Sequence, residues 1–405
     1  MTATTAINSL YKKNFSKMVI ALSKYTGLRD LATTEDIVQE AFAEAARTWD
    51  TQLPEHPEAW LYRVCRNIAF NKLRDDRRFE TREVDENTVS YQIDRMFESG
   101  DGDDQLRMLL ACTHPNFSPK NQVIFALRYV AGFRIEQVAN ILGSPADTIS
   151  KTLLRMRDMI VKENINFESE VAKATPAQKE ILIKIVYLMF SEGSKTSGGR
   201  SILNLELCED ALGLGLAIAG SASLSSPEAH ALIALMLFNL SRFEARFDSN
   251  GDLVELEHQG RSLWNRDMIK VGVHHITLAG DGNTSYHFEA AIAWLHVSAA
   301  SFAATDWKKI AALYEKIIVI NDSPFVRMNH SIALFYAGDV LTALHQLKKL
   351  GESAFMQRHY LFHMALGKVY TSTGDRELAV GHFIRAVELS PHEVEKKHIR
   401  KAYLS

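Results

Sequence analysis

Apolar residues recur every three or four positions in nearly every segment of this chain, which is the spacing of amphipathic helices. The clearest example lies in residues 133–160, where Ile149, Leu153, Met156 and Ile160 form one apolar stripe. Proline and glycine, the usual helix breakers, are sparse at 9 and 21 of 405 residues. We therefore predict an all-α fold.

Residues 133–160 are predicted to form two helices joined by a tight turn. Gly143 is expected to end the first helix in the left-handed conformation. Ser144 is expected to cap the second helix, with Pro145 at its first position. The small Ala139 and the β-branched Ile149 stand where a helix-turn-helix needs them for close packing.

The other face of this second helix is polar and basic, and it suits a major groove because such side chains meet phosphates and base edges. The candidate DNA-binding residues on it are Ser150, Lys151, Arg155 and Arg157. An ordinary corner between two helices is the alternative interpretation.

Upstream, a helix over residues 34–49 buries an apolar set and carries an acidic outer face. This face comprises Glu35, Asp36, Gln39, Glu40 and Glu44. Most charged helix faces are merely solvated, and the alternative is a docking surface for a basic partner helix.

The next helix, over residues 57–78, is basic on one side. Its outer face interleaves cations and amides, which suits a nucleic-acid surface. The candidate residues are Arg63, Asn67, Asn71, Lys72 and Arg74. Enrichment of cations at a helix C-terminus would by itself explain Arg74 and the arginines that follow it.

Composition divides the chain into four parts. Residues 1–78 form a first domain, and residues 79–105 form an acidic linker that is poor in apolar residues. Residues 106–162 form the helix-turn-helix domain, and residues 163–405 form a larger helical region.

The end of the last region follows a tetratricopeptide-like pattern of small and large residues. Leu366-Gly367 and Phe383 fit one helix pair, and Gly338-Asp339 recurs 36 residues later as Gly374-Asp375. Such pairs stack, since one pair cannot bury its own apolar face. We expect a surface that binds a protein or peptide partner.

Net charge, cysteine spacing and the length of apolar runs exclude several classes of protein. The net charge of −3 shows no global basic balance, so a DNA-binding surface must be local. Three widely spaced cysteines match neither a metal site nor a disulfide framework, and no apolar run is long enough to span a bilayer. The start of the sequence lacks the apolar core of a signal peptide. We expect a soluble cytoplasmic protein.

Nothing in the sequence indicates an active site. No His, Cys and carboxylate set converges, so we expect no catalytic residue, no cofactor and no metal. His274-His275, His287 and His296 are interpreted as surface or core residues.

Several motifs taken in order carry a family resemblance. They are Glu35–Phe42, Trp60–Val64, Asn67–Ala69 and Leu127–Phe133, leading into the helix-turn-helix. In this order the chain resembles a sigma-70 family RNA polymerase sigma factor of the extracytoplasmic-function (ECF) type over residues 7–162. The remainder resembles a subgroup with a fused tetratricopeptide-like extension. Residues Tyr187–Gly193 resemble the signature of that subgroup, although Ser191 stands where the signature more often has Asn.

The resemblance implies particular roles for the candidate residues. Asp36, Gln39 and Glu40 would bind the clamp helices of the largest subunit of core RNA polymerase. The basic face of residues 57–78 would contact the −10 promoter element, and the polar face of the second helix of the motif would contact the −35 element. The polymerase would perform the chemistry, so the protein itself would not be an enzyme.

Two questions stay open from the sequence. A conventional helix-turn-helix regulator with a tetratricopeptide-like sensory domain is the alternative function, although it would not need the acidic and basic helices upstream. We also expect residues 164–405 to control the sigma domains in cis, and the sequence leaves the sign of that control open.

Overall fold

A computed structural model provides the structure of this protein. It describes residues 6–7, 10–11, 14–15, 18–19, 22, 31–49, 53–75, 106, 109–110, 112–162, 174–195 and 203–405. Throughout these ranges the regular elements are helices, apart from an isolated antiparallel bridge between Phe247 and Leu253. The predicted all-α fold is confirmed. The predicted linker at 79–105 lies outside the described residues.

The chain divides into two compact units. The first comprises Met1–Met189 with Gly220–Leu224, and the second comprises Phe190–Ala219 with Ser225–Ser405. The domain boundaries expected from composition stay predictions.

The described helices of the first unit include those of the helix-turn-helix. They are α1 Leu31–Thr48, α2 Pro57–Asp75, α3 Pro119–Tyr129, α4 Ile135–Ile141 and α5 Ala146–Lys162. Helix α6, Pro176–Ser194, runs past the boundary between the units.

The second unit contains ten further helices among the described residues. They are α7 Leu205–Gly220, α8 Pro227–Leu240, α9 Arg266–Ala279, α10 Ser285–Ser298, α11 Trp307–Ile320, α12 Pro324–Tyr336, α13 Val340–Leu350, α14 Tyr360–Thr373, α15 Arg376–Leu389 and α16 Glu393–Tyr403. No described helix in either unit is long and apolar enough to cross a membrane.

Helices α1 and α2 pack along their apolar sides. Ile37, Val38 and Ala41 of α1 are buried, as are Leu61 and Cys65 of α2. One detail of the predicted acidic face of α1 is wrong: Glu35 is only 5% exposed and belongs to the interior. The spacing of apolar residues along α1 placed Glu35 on the exposed side, because the cation that pairs with it lies far away in the sequence and leaves no local signal.

Helix α3 supports the helix-turn-helix and is buried around most of its circumference. Val123, Ile124 and Leu127 are buried. The buried Gln122 amide donates to the carbonyls of Thr113, His114 and Phe117 at 3.0–3.2 Å. These bonds hold the segment before α3 against the helix, since buried carbonyls need donors.

The end of the second unit shows matching turns at the predicted repeat positions. Gly338 and Gly374 both take left-handed φ values, +94° and +87°, at the ends of α12 and α14. A Cβ on Gly367 would lie 2.5 Å from the Phe383 ring, so α14 and α15 approach closely. This geometry suits stacked helix pairs, and the tetratricopeptide-like assignment stays a prediction.

Candidate interaction surfaces of the first unit

The predicted polymerase-binding residues lie together on the exposed side of α1. Asp36, Gln39 and Glu40 are all exposed, while the residues between them on the helix, Ile37 and Val38, are fully buried. Residues three and four apart share one helix face, so the three polar side chains form a single patch.

This acidic patch adjoins the basic helix α2. The Glu40 carboxylate lies 3.4 Å from the Lys72 ammonium, and both side chains are substantially exposed. An exposed pair of this kind contributes at most about 1 kcal/mol, so a stronger partner can displace it. The structure thus brings together one residue predicted to bind polymerase and one predicted to bind the −10 element.

The predicted −10 contacts form a row along α2. Arg63, Asn67 and Asn71 are exposed and four residues apart, so they follow one side of the helix. Lys72 lies beside them, with 40% of its side chain exposed. Arg74 lies within α2, but its side chain is outside the described residues.

The helix-turn-helix forms as the sequence predicts, with one shift at the turn. Gly143 has φ +58°, and the Ser144 amide donates to the Ala139 carbonyl at 2.9 Å. Helix α5 begins at Ala146, so Pro145 precedes its first residue instead of occupying that position. The Ser144 hydroxyl donates to the Leu142 carbonyl at 3.4 Å, within the turn.

Helix α5 buries one stripe and presents the opposite side to solvent. Ile149, Leu153, Met156 and Ile160 are buried as predicted. A separate set is exposed and comprises Ser150, Lys151, Leu154 and Arg155. Leu154 is 57% exposed, which is a large apolar area to leave in water on a helix with a well-formed buried stripe. The Arg157 side chain is outside the described residues.

The charge on this face is partly compensated. The Lys151 ammonium lies 2.7 Å from the Asp147 carboxylate one turn earlier, and both side chains are well exposed. Such a pair is weak and is screened by salt, so a DNA phosphate can compete for Lys151.

The histidines singled out in the sequence have protein partners. His275 Nδ1 shares a hydrogen bond of 2.9 Å with His230 Nδ1, and His287 Nδ1 shares one of 2.7 Å with the Thr284 hydroxyl. Burial lowers the pKa of His296 to about 3, which keeps its ring neutral beside Trp307. In the described part of the chain no three His, Cys, Asp or Glu side chains gather as metal ligands do.

Glu35 and Arg128 form a buried contact that the sequence pattern did not predict. The two side chains lie 3.0 Å apart and connect α1 to α3. Arg128 also lies over the Phe15 ring, 5.6 Å from its centroid. No local pattern signals this contact, because its members come from three separate segments.

Comparison with known proteins gives two family matches and several relatives. Sigma-70 region 2 matches residues 10–79, and a family of unknown function, DUF6596, matches residues 179–280. The uncharacterized protein R00370 of Rhizobium meliloti is 31% identical over 390 residues, covering 94% of this chain and 91% of the relative. No solved structure matches the chain.

Shorter relatives carry a functional name. The ECF RNA polymerase sigma-E factor of Haemophilus influenzae is 26% identical over 164 residues, covering 38% of this chain and 85% of that protein. The probable ECF RNA polymerase sigma factor SigI of Mycobacterium tuberculosis is 25% identical over 172 residues, covering 40% of this chain and 56% of that protein.

The acidic α1, the basic α2 and the helix-turn-helix occur in the order of the sigma domains, and the region 2 match covers the first two of these helices. The relatives named as ECF sigma factors match about two fifths of this chain. The chain therefore belongs to the sigma-70 family of RNA polymerase sigma factors, of the ECF type, and it carries a DUF6596 region after its sigma domains.

Proposed function

We propose that this protein is an alternative sigma factor that binds core RNA polymerase through Asp36, Gln39 and Glu40 and directs promoter-specific initiation in the cytoplasm. The observation that carries the proposal is the exposed acidic patch on α1 beside the basic row on α2. The relatives named as ECF sigma factors support it. Arg63, Asn67, Asn71, Lys72 and Arg74 would contact the −10 element.

Charge reversal at the patch tests polymerase binding. We expect Asp36→Lys with Glu40→Lys to weaken competition with the housekeeping factor for core polymerase, since surface changes cost the fold little. Glu257→Lys makes the same reversal at an exposed residue of the second unit and should bind normally.

The pair between Glu40 and Lys72 requires a further control. The double variant Glu40→Lys, Lys72→Glu restores the ion pair with its charges exchanged. If polymerase binds Glu40 directly, this swap should remain defective in core binding. Full recovery of core binding by the swap would instead assign the effect to the pair.

The alternative function, a helix-turn-helix regulator with a sensory domain, gives the opposite result. Such a protein would bind its DNA site without displacing the housekeeping factor from core polymerase. The competition measurement therefore separates the two functions directly.

We also propose that the residues after 163 control the activity of the sigma domains in cis. The Gln178 amide of α6 donates to the Thr113 hydroxyl at 3.1 Å, and Thr113 is buried just ahead of α3, the helix that supports the helix-turn-helix. Residues beyond the helix-turn-helix thus contact it within the first unit. The relative R00370 is similar over nearly the whole chain, which supports a shared role for the extension.

Truncation and a point variant test this control. We expect a chain ending at Glu163 to lose run-off transcription with core polymerase, because the extension braces the sigma domains. Gln178→Ala should reduce transcription in the full chain, with Glu180→Ala on the exposed side of α6 as control. Equal transcription by all four proteins would reject control in cis.

A further inference from the structure

The second unit contains a cavity of about 330 Å³ that the sigma function does not use. Its walls come from Lys195, directly after α6, from the segment 246–255, and from helices α12, α14 and α16. Apolar side chains form much of the lining, among them Met328, Ile332 and Met364. Methionine adapts to irregular shapes, so this wall suits an apolar ligand body.

One wall of the cavity carries two cations and one carboxylate. They are Lys195, Arg246 and Glu395. Glu395 accepts hydrogen bonds from the Tyr360 hydroxyl and, at 2.9 Å, from the Ser390 hydroxyl. Lys195 Nζ lies 3.9 Å from Glu395, too far for a hydrogen bond. Glu395 is therefore mainly occupied by hydroxyl groups.

Among the described residues, neither cation is hydrogen-bonded to a carboxylate, and the nearest carboxylate oxygen to Lys195 is that of Glu395 at 3.9 Å. Arg246 donates to the Ser194 carbonyl at 2.9 Å, and within the described residues it forms no ion pair. The Lys195 side chain is 39% exposed and lies over the Tyr360 ring, and burial lowers its pKa to about 8. A partly buried ammonium without a hydrogen-bonded carboxylate is suited to receive an anion.

A second charged group on the cavity is already satisfied. Glu255 accepts hydrogen bonds from Lys368, from His398 at 3.1 Å and from the Tyr403 hydroxyl at 2.7 Å. Around the cavity the cations Lys195, Arg246 and Lys368 outnumber the two carboxylates by one. One negative charge on a ligand would balance this excess.

We infer that this cavity binds a small amphipathic monocarboxylate, with the carboxylate between Lys195 and Arg246 and the apolar body on Met328, Ile332 and Met364. A single excess cation favours a monoanion over a phosphate dianion, which Glu395 would repel. The volume lies at the lower end of small-molecule pockets, roughly 300–1,000 Å³, and leaves no room for a folded partner.

The test uses the full-length protein without polymerase, so its outcome is independent of the sigma function. The probes are octanoate, 3-phenylpropanoate and indole-3-acetate, each paired with its neutral amide, measured by isothermal titration calorimetry and thermal shift. We expect at least one carboxylate to bind saturably, to raise the melting temperature and to bind more tightly than its amide.

Variants locate the binding. Lys195→Met should weaken the carboxylate on the order of tenfold or more, which is the usual effect of losing a charge-assisted hydrogen bond. Met364→Trp should abolish binding by filling the apolar wall, whereas Lys308→Met, at an exposed residue of α11, should have no effect. Unliganded melting temperatures show whether each variant is folded.

Several outcomes would overturn the inference. They are binding of no carboxylate more tightly than its amide, and carboxylate binding that persists unchanged in both Lys195→Met and Met364→Trp. A folded Met364→Trp protein that still binds would by itself place the ligand elsewhere, because the larger tryptophan side chain would occupy part of this small cavity.

Discussion

The Glu35 carboxylate lies 3.0 Å from the Arg128 guanidinium, although 93 residues separate them in the sequence. Both side chains are largely buried, at 7% and 13% exposure. The pair connects α1, which carries the proposed polymerase-binding patch, with α3, which supports the helix-turn-helix. Burial raises the pKa of the neighbouring Tyr11, and the charge of Arg128 opposes that rise.

We predict that breaking this pair destabilises the first unit strongly. Arg128→Met removes the guanidinium that contacts the buried Glu35 carboxylate and should cost on the order of 3–5 kcal/mol in urea denaturation. Adding Glu35→Gln to that variant should recover a large part of the loss, since the buried negative charge is then removed as well. The exposed pair of Lys151 and Asp147 is the control, and Lys151→Met should cost less than about 1 kcal/mol. If the changes in the free energy of unfolding caused by Arg128→Met and by Glu35→Gln simply add in the double variant, the two residues are not coupled and the prediction is wrong.

The proposed promoter contacts on α5 predict distinct effects for Lys151 and Arg155. Arg155→Ala should weaken promoter binding by the holoenzyme by about 1–3 kcal/mol if Arg155 contacts a base. Lys151→Ala should lower affinity for all sequences and reduce the salt slope by about 1, as loss of a phosphate contact does. Asp147→Ala should strengthen binding, because it frees Lys151 from its pair.

Filter binding over a salt series measures these effects. Lys120→Ala, at an exposed residue of α3, serves as the matched control. Unchanged promoter affinity and salt slope in a Lys151→Ala, Arg155→Ala double variant would remove α5 from the DNA interface.

Substitution by alanine should have opposite effects at Gly193 and Gly213. Of the two, only Gly193 lies close to a neighbouring segment. A Cβ on Gly193 would lie 2.7 Å from Cys208 Sγ and 3.1 Å from the Asn204 carbonyl. Gly193→Ala should therefore cost about 1–3 kcal/mol through overpacking. Gly213→Ala meets open space on the exposed side of α7 and should be neutral or stabilising by up to about 1 kcal/mol. Thermal unfolding of both variants measures the contrast, and equal melting temperatures would refute it.

Glu255 predicts a pH dependence in the second unit. Burial would raise the pKa of Glu255, but hydrogen bonds from His398, Lys368 and Tyr403 and the charge of Lys368 outweigh burial and hold it at about 2. A carboxyl with a lowered pKa in the folded state stabilises the protein fully above its ordinary value of 4.5, and this stabilisation is lost as the pH falls toward 2.

The measurement compares urea denaturation of the wild type with that of Glu255→Gln. At pH 6 the variant should be less stable by on the order of 3 kcal/mol, and the difference should shrink steadily below about pH 4.5. Glu257→Gln, at an exposed glutamate two residues later, should show no such trend. A difference that stays constant from pH 6 to pH 3 would rule out the ionised Glu255 as its source.

The periodic pattern of apolar residues determined the local structure of this protein. It predicted the all-α fold, the buried stripe of Ile149, Leu153, Met156 and Ile160, and the left-handed turn at Gly143. It also predicted that Asp36 and Glu40 face solvent. These features depend on spacing within one helix, since residues three or four apart share a face whatever lies beyond it.

Contacts between distant segments were decided only by the tertiary structure. The sequence placed Glu35 on the solvent side of α1, whereas Arg128 draws it into the interior. The cavity wall combines Lys195, Arg246 and Glu395 from segments up to 200 residues apart, and no spacing rule relates them. Their meeting depends on how helices pack, because a charge is buried only where a remote partner compensates the loss of water.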